Sequence, residues 1–218
     1  MGDRGRAVLE GIRFAAGVAS DPFGVLTLWK AATGGKAVGC LPEAPVPELL
    51  HASNLLPIAF ESQEDLSLFS GRVDAWLVEA DPSPFSIPSG RGGPRFFFPR
   101  LPPGNVEEAL DRVEALAEWA GAVSGSPASE GGLWKSIRAH ATLRSLLVAL
   151  AERCVREPAF LTPAEHRNVV RAGIFLPPEA HSRLLSSILE IDPEPAAGPA
   201  EAERGDPLIV LAKRIVVG

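Results

Sequence analysis

The side chains of this 218-residue chain with chemistry to offer are two cysteines, four histidines, one well-placed glutamate and an arginine-bearing glycine loop. Cys40 closes a predicted strand, Val38–Leu41, at the strand end where parallel sheets bind ligands, so its thiol is a candidate cofactor contact; the alternative is a small buried residue. Cys154 falls within the apolar stripe of the longest predicted helix and reads as core. His51 sits on a short helix, where it packs or caps. His140, His166 and His181 fall on separate helix surfaces without the H-x-x-x-H spacing that lets two imidazoles share a metal. Glu48 follows Pro47 in a first helical turn, where a carboxylate complements the helix dipole; it is also a substrate-site candidate, as is His51. The loop Ser89–Arg95 could cradle a phosphate through open backbone amides with Arg91 and Arg95, although no G-K-[ST] follows it and it is not a G-x-G-x-x-G turn. No G-x-S-x-G elbow is present, so hydrolase-type nucleophilic chemistry has no support. No residue is assigned a catalytic role, and no metal site is expected.

The elements that must position these residues alternate. Two short helices flank Asp21-Pro22 and form a lead-in expected to pack on the sheet, with Trp29 as anchor. Val38–Leu41 is a first strand; Pro42, Pro45 and Pro47 break it and set up a short helix that Asn54 ends in the left-handed region. Leu55–Phe60 is a second strand, Glu64–Phe69 a helix, Val73–Glu79 a third strand, and Arg95–Arg100 a fourth, with Phe96–Phe98 buried. Strands alternating with helices predict an α/β fold: a small parallel Rossmann-like sheet of about four strands followed by a helical segment. From Asn105 the pattern turns helical. Asn105 with Glu108 resembles a capping box, and Thr162-Pro163-Ala164-Glu165 is a cleaner one. The stripe of the longest helix is Leu133, Ile137, Ala141, Leu143, Leu147, Leu150 and Cys154. This divides the chain into a lobe with helical lead-in over 1–103, a helical segment over 104–191, and an acidic, Pro-rich linker over 192–207. The last segment, 208–218, reads as the first strand of a second lobe that is missing or supplied by a partner, or as a strand that folds back onto the first sheet.

Residues Gly35, Lys36, Val38, Gly39, Pro47, Glu48, Leu49, His51, Ala52, Leu55 and Pro57 resemble, in order, the opening of the first lobe of the benzoyl-CoA reductase / 2-hydroxyglutaryl-CoA dehydratase family. A weaker match continues through Ser136, Ile137 and Arg144, with Ala141 in place of an Asn. The resemblance covers most of residues 25–218, about half of a full-length subunit. It implies a role in radical dehydration of 2-hydroxyacyl-CoA or low-potential reduction of an aromatic acyl-CoA. It also implies an iron–sulfur cluster held by cysteine thiolates on loops after the strands. Where the family places a cysteine next to an aspartate after the third strand, this chain has Glu79-Ala80-Asp81-Pro82; Asp81 remains as a cofactor-site candidate and the thiol does not. The segment Ser62–Gly71, where another cysteine is expected, is shortened.

A net charge of −6, from 21 basic and 27 acidic residues, opposes a nucleic-acid or anionic-membrane partner. No apolar run is long enough to cross a membrane. Two cysteines far apart do not make a secreted disulfide framework and point to a cytoplasmic chain with reduced thiols. The expectation is a degenerate or truncated, cluster-free relative, inactive alone. It serves as accessory subunit beside a sister subunit of the same family that carries the iron–sulfur cluster, with an acyl-CoA as possible ligand. The alternatives are a fragment of an active iron–sulfur subunit, or a non-enzymatic binding module that shares the lobe.

Overall fold

The computed structural model describes residues 5–41, 46–60, 62–79, 93–98 and 106–191. Asp81, Arg91, Asn105, the linker over 192–207 and the segment over 208–218 lie outside the described residues. Two helices open the chain, α1 (Arg6–Ser20) and α2 (Pro22–Thr33). The alternating part follows: β1 (Lys36–Leu41), α3 (Pro47–Ala52), β2 (Leu55–Ala59), α4 (Gln63–Phe69), β3 (Ala75–Glu79) and β4 (Arg95–Phe98). Four helices complete it: α5 (Val106–Ser124), α6 (Glu130–Arg156), α7 (Pro163–Ala172) and α8 (Pro178–Leu189). The described residues fall into two compact units, 5–28 with 137–191 and 29–136, the boundary lying inside α2 and α6.

The unit over 29–136 is α/β. Its four strands are all parallel in the order β2-β1-β3-β4. The punctuation in the sequence explains the crossovers. Pro47 occupies the first turn of α3, and Asn54 takes a positive φ of 56° to end it. Ser62 caps α4 by accepting from the Asp65 N–H. α3 packs on β2 and on α5, and α5 also packs on β4; the Phe69 ring of α4 lies 5.9 Å from that of Phe60, the residue after β2. Trp76 is fully buried, its ring 5.6 Å from that of Phe60. Its indole N–H has no partner. Burying a tryptophan stabilises by roughly 4–6 kcal/mol, which outweighs the roughly 1–3 kcal/mol cost of the orphaned donor.

Two expectations for this unit need correction. Of the three consecutive phenylalanines read as buried, only Phe98 is; Phe97 is 61% exposed and Phe96 half-buried. Among the described residues β4 is the outermost strand of the sheet. The lead-in is also divided. Trp29 packs over Gly35 in this unit, whereas α1 packs on α7 and α8. The apolar stripe of α1, Val8, Ile12, Ala15 and Val18, needs a helical partner face, and Gly11 lets Ile188 of α8 approach to where a Cβ would stand.

The helical unit adds one capped helix and one buried imidazole to its apolar packing. Thr162 and Glu165 form the reciprocal capping box of α7. His181, expected on a helix surface, is buried: its Nε2 lies 3.1 Å from the Val169 carbonyl and its ring fills the space over Gly173. Burial lowers its pKa, partly offset by that hydrogen bond, so the ring is neutral and Nε2–H donates. On α6 the buried positions are Leu133, Ser136, Leu146 and Leu150. Leu143, Leu147 and Cys154 are only half-buried, because the true seam steps through 146 and 150.

Candidate functional site at the sheet ends

In the order β2-β1-β3-β4 the chain reverses direction across the sheet between β1 and β3, which makes the carboxyl ends of those strands the ligand-binding crevice of such a fold. Cys40 lies there, paired in register with Ala59 of β2 and Leu77 of β3. It is fully buried, and its thiol donates to the Val38 carbonyl at 3.6 Å. Desolvation pushes the thiol up to about 12 against a small opposing hydrogen bond with the Ile58 backbone, so it is protonated at neutral pH. Leu41, Val78 and Phe98, near the same strand ends, are buried and apolar, and Glu79 is the last residue of β3.

Glu48 opens α3 just past the carboxyl end of β1 and is 5% exposed. α3 then runs back along the sheet to the start of β2, so His51 stands nearly one turn further from the crevice. His51 Nδ1 is 2.9 Å from the hydroxyl of Ser136, a buried residue of α6. Arg95 begins β4 and is exposed. Register sets it level with Trp76 and Gly39, one row toward the amino end from Cys40 and about 10 Å across two strands. Of the sequence-derived site residues, Glu48 is near the crevice by chain order, Cys40 lies in its floor without a usable thiolate, and His51 and Arg95 point to other surroundings. Asp81 and Arg91 lie outside the described residues.

The amino ends of the strands hold a second polar group that sequence reasoning overlooked. Lys36 Nζ donates to the Val123 carbonyl at 2.6 Å, a cation at the carboxyl end of α5 where the helix dipole and unpaired carbonyls favour it. The Asp74 carboxylate accepts the Ala37 N–H at 2.7 Å and pairs with Lys30 at 2.6 Å; Lys30 also donates to the Arg72 carbonyl. The signal was available in part: a lysine directly after Gly-Gly and an aspartate directly before a strand mark strand entries rather than strand exits.

The residues that carry the family resemblance can now be read physically. At Gly35 a Cβ would collide with the Trp29 ring and the Asn54 carbonyl. At Gly39 it would collide with Trp76 and Phe60. Lys36 caps α5, Pro47 starts α3, Leu49 and Leu55 are fully buried, and His51 bonds Ser136. Each has an architectural task.

An iron–sulfur cluster held by cysteines alone takes four thiolates, and the chain has two cysteines, so it does not supply that ligand set by itself. Among the described residues no group of three or more His, Cys, Asp or Glu side chains is placed to hold a metal ion. No helix among them is long and apolar enough to cross a membrane. The chain matches no protein-family model and no curated protein.

Proposed function

We propose that this chain is a cluster-free relative of the 2-hydroxyacyl-CoA dehydratase / benzoyl-CoA reductase subunits, acting in the cytoplasm as an accessory subunit beside a cysteine-bearing sister subunit. The chain contributes an acyl-CoA-facing wall or a subunit contact, and the partner contributes the cluster and the electron chemistry. One observation carries this reading. Gly35, Lys36 and Gly39 serve packing and capping of the lobe, while Cys40, at the described strand ends, is a buried, protonated thiol, which supports an architectural role for this chain.

A second reading, a ligand-binding module with no catalytic partner, is favoured by the strand order alone, because the β1/β3 reversal makes a crevice whatever chemistry surrounds it. Reconstitution separates the two. The purified chain is assayed anaerobically for 2-hydroxyacyl-CoA dehydration and benzoyl-CoA reduction, alone and mixed with cysteine-bearing subunits of the family and their ATP-driven activator. The accessory reading predicts no turnover by the chain alone and a gain of turnover or of partner stability on mixing. Turnover by the chain alone, or the absence of any complex together with CoA-thioester binding by the lone chain, contradicts it.

A further inference from the structure

We propose that His181 makes the junction of α7 and α8 an acid-released latch, closed while its imidazole is neutral and opened by protonation, with the strands of the α/β unit left folded. α7 and α8 each pack on α1, and the ring joins them to each other. α7 is capped at Gly173 and α8 begins at Pro178. The His181 ring, 3% exposed, reaches back across that turn. It fills the space over Gly173, where a Cβ would collide with it, and its Nε2–H donates to the Val169 carbonyl at 3.1 Å. Val169, Ala172, Phe175 and Leu176, which lead into the turn, are buried and apolar.

The closed junction has no place for a second proton. Nε2–H is spent on Val169, and among the described residues Nδ1 has no hydrogen-bond partner. A proton on Nδ1 creates a donor without an acceptor and puts a positive charge among apolar side chains. Opening the turn hands both to water.

The charged groups of the surrounding helices do not compensate. On α7, the Glu165 carboxylate accepts the Thr162 N–H, His166 is half-buried, and Arg167 and Arg171 are exposed. On α1, the buried stripe is Val8, Gly11, Ile12, Ala15 and Val18, and Arg6, Glu10 and Arg13 are exposed. On α8, Glu179 projects from the side nearly opposite His181, by the helical turn of about 100° per residue, and Arg183 is exposed. Arg153 of α6 reaches the Leu189 carbonyl, about two turns further along α8. Burial and the Val169 bond are what act on the ring, and burial, the larger of the two, disfavours its charged form. Below about pH 6.5, the ordinary imidazole value, the open junction therefore takes a proton that the closed one resists, and each further pH unit raises the open population by up to about tenfold.

Amide hydrogen exchange of the full chain, followed by NMR at pH 7 and pH 5 and corrected for the pH dependence of intrinsic exchange, tests this. The amides of α7 and of the first turns of α8 should lose about tenfold or more of their protection, with a ceiling of roughly 30-fold set by the distance from 6.5 to 5. Those of β1 and β3 should change by less than about threefold. His181→Leu, which takes no proton, should hold the α7 amides at pH 5 within about threefold of their pH 7 protection. Unchanged protection of α7 and α8 in the unmodified chain overturns the proposal. So does an equal loss across the sheet, which makes the acid effect global. Where His181→Leu fails to fold, the ring signals of the unmodified chain decide: a His181 ring that titrates while the α7 amides stay protected overturns the latch.

Discussion

The two ends of the parallel sheet differ in what their polar groups do. At the amino ends, Lys36, Asp74 and Lys30 are bound into backbone carbonyls, a backbone N–H and one ion pair. At the carboxyl ends, Cys40, Leu41, Val78 and Phe98 are buried, the Cys40 thiol is protonated, and β3 ends on Glu79. A sheet of this order ordinarily concentrates chemistry at the carboxyl ends and stability at the amino ends. Here the polar groups at the amino ends are satisfied within the fold, and the one cysteine at the described carboxyl ends is a buried, protonated thiol.

The comparison is broken first by crowding the sheet. Gly39→Val places a side chain where the Trp76 and Phe60 rings already stand. It is expected to cost about 3 kcal/mol, or roughly 6–12 °C in Tm for a chain of this length. A thermal melt within about 2 °C of the unmodified protein would show that the glycine is not there for packing.

Next in size is the cap. Lys36→Met keeps the aliphatic stem and removes the donor to Val123, with an expected loss of about 1–2 kcal/mol in urea unfolding. Arg95→Met, at an exposed position of the same sheet, should change stability by no more than about 0.5 kcal/mol. Equal effects would erase the distinction between an architectural and a surface cation.

His181 gives a smaller, pH-dependent effect in the helical unit. Its pKa is lowered in the folded chain by burial, so the folded state resists a proton that the unfolded chain accepts near pH 6.5. Stability should therefore fall as pH drops below about 6.5 and level off only beneath the folded value. His181→Gln should flatten the denaturant midpoint profile between pH 7 and 5. A His181→Gln profile that parallels the unmodified one would assign the dependence to other groups.

The smallest expected signal is kinetic. Cys40, buried with a thiol near 12, should alkylate at neutral pH only as fast as the lobe opens, while the half-buried Cys154 reacts first. Mass spectrometry of iodoacetamide-treated native protein distinguishes the two sites. Prompt labelling of Cys40 would restore it as a crevice nucleophile or ligand.

Much of the fold was legible because its punctuation is local. Pro47, Asn54, Ser62 and Thr162 each set an element boundary through their own backbone preference or cap, and the strands begin and end within about two residues of the apolar runs. What was misread depends on contacts distant in sequence. Three phenylalanines in a row look buried, yet Phe97 is exposed, on the outermost strand among the described residues. His181 looks like a surface residue until Gly173 is seen to make room for its ring. The destination of α1 depends on which apolar face it meets, and α7 and α8 come more than a hundred residues later. The candidate site was legible only as a list: Cys40, Glu48, His51 and Arg95 share a neighbourhood in sequence, but register and helix direction separate them.

The most direct test of the central claim is iron and acid-labile sulfide analysis, with a visible spectrum, of the anaerobically purified chain and of its complex with a cysteine-bearing subunit. The account predicts a colourless chain with no stoichiometric iron, and a brown complex whose iron stays with the partner on separation. Stoichiometric iron and sulfide retained by this chain alone would contradict it, and would require Cys40 to ionise and leave its buried position in the sheet.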